Sequence, residues 1–199
     1  MGLVNRSYLK LLCAIAIAVV ATGRLASANL IVNRGFETGD FTGWTTSPAA
    51  SESNLFVAPN PHSGTYAVSF GALSTDLDAI SQTFATTPGN RYNLSFWLEL
   101  ENQNNEFQVT FGGVTLLDLI DKGPPLGREH YRQFAFSRLA KGSSTTLEFA
   151  GRNAPNFSYL DDVSVTPSVS VTDSGSIAML FGVSAAALLF ARMHFRQIA

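Results

Sequence analysis

The sequence contains a single cysteine, Cys13, among its 199 residues. Cys13 lies in an apolar run near the start of the chain, in a segment with the features of a cleaved export signal. If that segment is removed, the rest of the chain contains no cysteine and cannot form a disulfide. Export without disulfides fits a protein of the bacterial cell envelope better than a small disulfide-stabilised secreted domain.

Basic residues are also few, with 13 in the whole chain. Several of them lie near the two ends, so residues 29–165 contain 8 basic and 14 acidic side chains. Domains that bind nucleic acid need a basic surface, so this acidic balance excludes a nucleic-acid partner. It is compatible with a site for a metal cation.

Residue patterns typical of catalysis are absent as well. His62 and His130 are isolated histidines without the spacing of a metal site. The pair Ser63-Gly64 lacks the strand–turn–helix context of a nucleophile elbow. Glu99 and Glu101 are two residues apart on a predicted strand, so they share a face and do not flank a bond between them. We therefore predict that the protein is not an enzyme.

The first 28 residues are predicted to be a signal peptide. Arg6 and Lys10 precede an apolar run over 11–21, and a small-residue cleavage site ends at Ala28. The apolar run is shorter than the roughly 20 residues that a transmembrane helix needs. The mature chain is therefore expected to begin outside the inner membrane.

Residues 29–165 predict one all-β domain. Apolar and polar side chains alternate with a period of two, turn residues interrupt the chain at short intervals, and no amphipathic helix or internal repeat is visible. Gly112-Gly113 predicts a hairpin, and 166–172 is a polar linker. Many short strands at this spacing are typical of a β-sandwich. The clearest predicted strands are 92–100, 107–111, 133–137 and 146–150.

Three segments of this domain resemble the galactose-binding-like jelly-roll family, which includes several families of carbohydrate-binding modules. The first is Asn-x-Gly-Phe-Glu-x-Gly-Asp-Phe over 33–41, followed by Trp44. The second is Ser-Gly-x-Tyr over 63–66, and the third is Tyr-x-Asp-Asp-Val-x-Val over 159–165. The resemblance implies a jelly-roll β-sandwich in which the first and last strands lie side by side.

The resemblance also implies a structural calcium ion that ties the two ends of the domain together. Glu37 would supply one carboxylate and Asp161 another, with Asp162 as an alternative or additional ligand. Gly35 and the Ser63–Gly64 segment would supply carbonyl oxygens. Such hard oxygen ligands are those that Ca²⁺ prefers. The alternative is that the acidic side chains only cap surface turns.

A sugar-binding face is predicted from the strand faces that point away from the core. Aromatic rings stack on the apolar faces of sugars, and amides or carboxylates bond the hydroxyls. The alternatives to a sugar-binding role are that a loop covers Trp97 and that Gln108 is an ordinary solvated residue. The predicted sugar-face residues are Trp97, Glu99, Gln108, Tyr131 and Gln133.

The C-terminus combines a short polar motif, an apolar stretch over 177–191 and a basic tip with Arg192 and Arg196. This pattern resembles the PEP-CTERM sorting signals, and more closely their Val-Pro-Asp-Ser-Gly variant. The resemblance implies processing by an exosortase, a membrane-embedded transpeptidase-like enzyme. The motif departs from the variant at its second residue, where threonine replaces proline. Its residues are Val171, Thr172, Asp173, Ser174, Gly175 and Ser176.

The alternative interpretation of the C-terminus is a simple membrane anchor. The apolar stretch is short for a span, although flanking residues can snorkel and the bilayer can thin. Small side chains in it favour close contact between helices, as expected beside a membrane enzyme. The arginines would hold the tip in the cytoplasm. Both interpretations place the domain outside the inner membrane.

The sequence thus predicts an exported protein of the cell envelope, cell surface or extracellular matrix with a non-catalytic, carbohydrate-binding-like jelly roll. Its expected partners are an exosortase-like enzyme, the membrane before processing, and extracellular polysaccharide. The alternative is a structural or adhesive surface protein without a sugar site. A sugar face plugged by the 122–127 loop would favour that alternative.

Overall fold

The computed structural model describes residues 28–101, 104–121 and 131–168. Within these ranges all regular structure is β-strand, so the predicted all-β class is confirmed. No helix there is long and apolar enough to cross a membrane. The predicted signal peptide, the 122–127 loop, His130 and the sorting signal with its 177–191 helix lie outside the described residues, apart from Ala28.

Ten strands form the domain. They are β1 Thr45–Ser47, β2 Leu55–Ala58, β3 Ala67–Phe70, β4 Asp78–Ala85, β5 Arg91–Leu100, β6 Asn105–Phe111, β7 Val114–Ile120, β8 Arg132–Leu139, β9 Ser144–Asn153 and β10 Ser158–Pro167. The four stretches that alternate most clearly in the sequence correspond to β5, β6, β8 and β9.

The strands form two antiparallel five-stranded sheets packed as a jelly-roll sandwich. The first sheet has the order β1-β4-β9-β6-β7, and the second has the order β2-β3-β10-β5-β8. Chain neighbours such as β4 and β5 lie in different sheets, so the chain crosses repeatedly between them. The core lies between the two inner faces, as the period of two predicts.

Aromatic rings fill the centre of this core. Phe149 of the first sheet meets Phe96 of the second edge to face, with 5.1 Å between ring centroids. Phe70 and Phe107 form a second edge-to-face pair across the sheets at 5.3 Å. Such pairs add to the stabilisation from burial alone. The largest side chains with no exposed surface include Phe36, Phe70, Phe96, Phe107, Phe149, Ile80, Leu98, Leu147 and Leu160.

The predicted hairpin at Gly112-Gly113 joins β6 to β7. Both glycines have positive φ, at 58° and 74°. Two successive left-handed residues form the tight turn that matches the twist of a hairpin, and glycine adopts this conformation without steric cost. The sequence prediction is confirmed.

The N-terminal residues of the domain run beside its last strand. The Leu30 amide donates to the Val165 carbonyl at 2.8 Å, and the Val163 amide donates to the Arg34 carbonyl at 2.9 Å. The side chain of Asn29 bonds the same part of β10. This pairing carries Gly35 and the residues after it to the middle of β10.

Candidate functional site

A β-bulge in β10 brings two consecutive carboxylates together. Adjacent side chains on a regular strand point to opposite faces, but the register of β10 against β5 shifts between Asp161 and Ser164. Asp162 has φ 50°, a conformation that non-glycine residues rarely adopt. As a result, ligand atoms of Asp161, Asp162 and His62 all lie within 4.8 Å of one another.

Asp161 anchors the loop over 59–65, which connects β2 to β3. Its Oδ2 accepts the backbone N–H groups of His62 and Ser63 at 2.8 and 3.0 Å. Its Oδ1 accepts the N–H of Asp162 at 2.6 Å. Burial raises the pKa of Asp161 to about 6, although these amide hydrogen bonds favour the charged form. The carboxylate thus organises the loop around itself.

Asp162 binds two side chains of the same loop. Its Oδ2 lies 2.7 Å from the His62 Nδ1, and its Oδ1 accepts the Ser63 hydroxyl at 2.9 Å. The two neighbouring carboxylates therefore bind different parts of the 59–65 loop: Asp161 binds its backbone, and Asp162 binds its side chains.

Glu37, in the N-terminal segment, is the third acidic residue of the site. Glu37, Asp161 and Asp162 together are called the acidic cluster. The Glu37 carboxylate accepts the amides of Thr65, at 2.9 and 3.0 Å, and of Tyr66, at 3.1 Å. These hydrogen bonds lower the pKa of Glu37. Gly64 has φ 75° and lies directly against the same carboxylate, so any Cβ at this position would collide with it.

The donor set around Gly35 fits a hard cation. A Cβ placed on Gly35 would lie 3.6 Å from the Asp161 Oδ1, 3.7 Å from the Asp162 Oδ1 and 3.7 Å from the Glu37 Cγ. Two carboxylate oxygens and the Glu37 side chain therefore lie close to one glycine, and the only ion pair that the three acidic residues form among the described residues is between Asp162 and His62. Carboxylate and carbonyl oxygens are the ligands that Ca²⁺ prefers. An adjoining cleft of about 500 Å³ is lined by Gly35, Glu37, Ser63 and Asp162 among others.

The outer face of the second sheet continues directly from this cluster. Asp161 pairs in register with Trp97, and Trp97 pairs with Gln133. The His62 ring stacks on the Trp97 indole with 3.8 Å between centroids and 13° between planes. The 59–65 loop therefore covers one side of Trp97, so this indole is not an open platform for a ligand.

Two tyrosines and a carboxylate form one end of this face. Tyr159 pairs in register with Glu99, and Tyr131 precedes the strand on the other side of β5. The Tyr131 hydroxyl donates to the Asn60 carbonyl at 2.6 Å, and the Asn60 side chain donates to Glu99 at 3.4 Å. Burial raises the pKa of both tyrosines, to about 12 for Tyr159. Glu99 is itself buried.

A shallow trough of about 400 Å³ forms the other end of the face. Small polar side chains on three adjacent strands leave it open, because serine and alanine do not fill the space above the sheet. Ser95 pairs with Ser164 on one side and with Ala135 on the other. Hydroxyl and amide groups from Ser95, Ser164, Ser137, Asn93 and Thr166 are available along it.

Gln108 does not belong to this face. It lies on β6, which pairs with β7 and β9 in the first sheet, on the opposite side of the sandwich. The alternation around Gln108 correctly predicts that it points outward, but alternation carries no information about which sheet a strand joins. The single sugar face predicted from sequence is therefore corrected: Trp97, Glu99, Tyr131 and Gln133 share the second sheet, without Gln108.

Several residues of the site were not predicted from the sequence. The sequence alone presents His62 as an isolated histidine, yet it contacts both Asp162 and Trp97. Asn60 and Tyr159 were also missed as neighbours of Glu99. The available signal was the Pro-His-Ser-Gly stretch over 61–64, in which every residue after the proline contacts or adjoins an acidic side chain of the site.

Comparison with known proteins identifies the fold family. A family model described as a carbohydrate binding domain matches residues 28–149. No curated protein matches the chain. The matched region includes the N-terminal part of the site and eight complete strands, and it ends within β9, before β10.

Solved structures share the fold at low sequence identity. TmCBM61 in complex with β-1,4-galactotriose has a TM-score of 0.56 and 19% identity, covering 71% of this chain and all of that one. The K3 adhesin domain of Lys-gingipain from Porphyromonas gingivalis has a TM-score of 0.51 and 15% identity. The match covers 70% of this chain and 99% of that domain. The CBM22-1 xylan-binding domain of Paenibacillus barcinonensis Xyn10C has a TM-score of 0.50 and 16% identity. The match covers 73% of this chain and 97% of that domain.

Proposed function

The chain belongs to the carbohydrate binding domain family, and on that premise we propose that it binds a polysaccharide on the outer face of the second sheet without cleaving it. The site supports binding because it offers an aromatic end with Tyr159 and a hydroxyl-lined trough on the same three strands. Rings stack on the apolar faces of sugars, and the hydroxyls and amides bond their polar edges.

The observation that carries this proposal is the order in which aromatic and polar side chains follow one another on this face. The Tyr159–Glu99 pair, the Asp161–Trp97–Gln133 row and the Ser164–Ser95–Ala135 row follow one another along the strands. Rows of this kind lie about 7 Å apart on one face of a sheet. The 59–65 loop lies over the middle row at Trp97, so the parts open to a sugar are Tyr159 on one side of the loop and the trough around Ser95 on the other.

Calcium has a structural part in this proposal. Bound by Glu37, Asp161 and Asp162 with carbonyls of Gly35 and Ser63, the ion would neutralise the acidic cluster and hold the 59–65 loop to β10. The loop in turn fixes His62 on Trp97 and Asn60 on Glu99. The ion would shape the edge of the sugar face without touching the sugar.

The binding proposal predicts a specific loss on truncation of Tyr159. The full-length protein is tested against immobilised β-1,4-galactan and xylan, because the related modules are complexed with a galactotriose or named for xylan binding. Tyr159→Ala removes this partly exposed ring and is expected to weaken binding about tenfold or more. Affinity electrophoresis measures the change.

Gln108→Ala serves as the control because it alters an outward-facing polar residue on the opposite sheet. It is expected to leave retention unchanged. Equal losses from Tyr159→Ala and Gln108→Ala, or undiminished binding by Tyr159→Ala, would place the sugar elsewhere.

The second candidate function is a structural or adhesive surface component with no sugar site. It is favoured by the cover that His62 places over Trp97, and an adhesin domain is among the proteins of similar fold. Failure to bind any polysaccharide in a broad glycan array, with the protein folded and calcium present, would favour this function.

The ends of the chain place the domain outside the cell in this proposal. The signal peptide over 1–28 directs export, and the C-terminal segment over 171–199 serves as an exosortase-type sorting signal to the surface or matrix. The support is the motif Val-Thr-Asp-Ser-Gly-Ser with its apolar stretch and Arg192 and Arg196. A retained membrane anchor is the competing assignment.

Processing of the tail is expected to leave a defined end. In envelope fractions of a host that makes an exosortase, mass spectrometry should recover peptides ending near Asp173, and deleting the exosortase should abolish them. Replacing the motif residues Asp173 and Ser174 by alanine should have the same effect as the deletion. Recovery of the intact tail through Ala199 in every fraction would instead establish an anchor.

A further inference from the structure

A second cleft adjoins the hydroxyl-lined trough at Ser137 and lies at the end of the sandwich where β6 turns into β7. Its volume is about 450 Å³. The start of β5, the end of β8, the Gly112 turn and the start of β9 together form its walls. Residues from both sheets therefore line it.

The cleft concentrates positive charge in an acidic domain. Arg91, Arg138 and Lys141 all line it, and among the described residues no aspartate or glutamate does. None of the three cations forms an ion pair within the parts of the chain that the structure describes. Because 14 acidic side chains outnumber 8 basic ones in residues 29–165, three unpaired cations in one cleft form a local reversal of charge.

The remaining walls are suited to a small ring with hydroxyl groups. Leu139 is 52% exposed and Val114 is 37% exposed, so the cleft offers apolar surface to a ligand. Ser137 and Ser144 add hydroxyls. These groups suit a sugar that carries a negative charge. The cations can bind the charged group, the apolar wall can pack against the ring, and the serines can bond the sugar hydroxyls.

We propose that this basic cleft is a second glycan site, which takes a sugar bearing a carboxylate. Arg138 and Lys141 bind the carboxylate by charge-assisted hydrogen bonds, and Arg91 adds attraction from the adjoining strand. The apolar wall at Leu139 packs against the sugar ring. The site would let the domain bind acidic polysaccharide independently of the Tyr159 face.

The concave shape of the cleft favours a small sugar ligand over an anionic membrane surface. A surface that binds lipid headgroups presents its cations on a protruding or flat patch, with apolar residues at the tip. Here the cations line a concave cleft whose volume suits a short oligosaccharide.

The test measures the affinity of the full-length protein for trigalacturonic acid and for its methyl ester by isothermal titration calorimetry. The ester keeps the sugar ring and removes the charge, so it is expected to bind at least about tenfold more weakly. The double variant Arg138→Gln/Lys141→Gln should bind the acid more weakly than the wild type by a similar factor. Added salt should weaken binding of the acid and leave the ester unaffected.

Arg132→Gln is the matched control because it removes the same charge from the same strand, about 20 Å away. Arg132 lies over the Phe134 ring and outside the cleft, and its variant should bind the acid within about twofold of the wild type. All these cations are exposed, so the variants should retain the wild-type melting temperature.

Equal affinities for the acid and the ester, an equal loss in the Arg132 variant, or no binding of the acid would overturn the proposal. So would binding of phosphatidylglycerol vesicles that depends on Arg138 and Lys141 while trigalacturonic acid fails to bind. The outcome is independent of the Tyr159 face, because Tyr159→Ala should leave binding of the acid unchanged even if that face binds no glycan.

Discussion

Replacing Asp161 by alanine is expected to lower the free energy of unfolding by about 3 kcal/mol, because three buried or partly buried amides lose their acceptor at once. These are the N–H groups of His62, Ser63 and Asp162. The 59–65 loop would then separate from β10, and Trp97 would lose its His62 cover. Urea denaturation of the full-length protein measures the loss, and tryptophan fluorescence reports the uncovering of Trp97.

Asp161→Asn separates the hydrogen-bonding role of this side chain from its charge. Asparagine retains a carbonyl oxygen as acceptor, so without calcium it should be less destabilising than alanine. Calcium should raise the melting temperature of the wild type, since a ligand that binds only the folded state stabilises it by mass action. The asparagine variant should respond much less. Identical wild-type melting curves in calcium and in chelator would contradict a calcium site here.

Gly64→Ala is expected to destabilise the protein by about 2 kcal/mol beyond the ordinary cost of removing a glycine at positive φ. The added methyl group would collide with the Glu37 carboxylate, which is held in place by the amides of Thr65 and Tyr66. Glu37 must then leave the acidic cluster. The calcium response should fall together with the stability, as measured by thermal melts with and without the ion.

Gly89→Ala is the control for backbone conformation. Gly89 has φ 80°, close to the 75° of Gly64, and a Cβ at this position would meet no atom within 4 Å. Gly89→Ala should therefore lower the free energy of unfolding by about 1 kcal/mol, the cost of placing alanine at a positive φ. If the two variants were equally stable, the close approach of Gly64 to Glu37 would have no energetic significance.

The interior of the fold was largely predictable because burial imposes a strict pattern. Phe96, Leu98 and Phe107 alternate with polar residues, and their strands face the core as that period requires. The hairpin was predictable for a local reason, since Gly112-Gly113 supplies the two left-handed residues that the turn needs. Both signals depend only on neighbours in sequence.

The membership of each sheet was not predictable in this way. Gln108 and Gln133 both point outward from amphipathic strands, yet β6 and β8 lie in opposite sheets. Which strands pair depends on contacts between residues distant in sequence, and alternation does not encode them. This is why one of the five predicted sugar-face residues lies on the other side of the molecule.

The acidic cluster shows the same limit at a smaller scale. The sequence Tyr-Leu-Asp-Asp-Val over 159–163 predicts a strand in which only one aspartate faces the site. The bulge and the φ of 50° at Asp162 turn both toward the 59–65 loop. The resemblance to a family pointed to this pair, but the division of partners between Asp161 and Asp162 required the structure.

The central claim is that glycan binds along the outer face of the second sheet. Hydrogen–deuterium exchange of the full-length protein, with and without a polysaccharide retained in the binding assays, tests it most directly. The account predicts slower exchange in the 59–65 loop and in the segment around Tyr159, with no change in the β6–β7 hairpin. Protection confined to the first sheet, or no protection on the second sheet under saturating glycan, would contradict it.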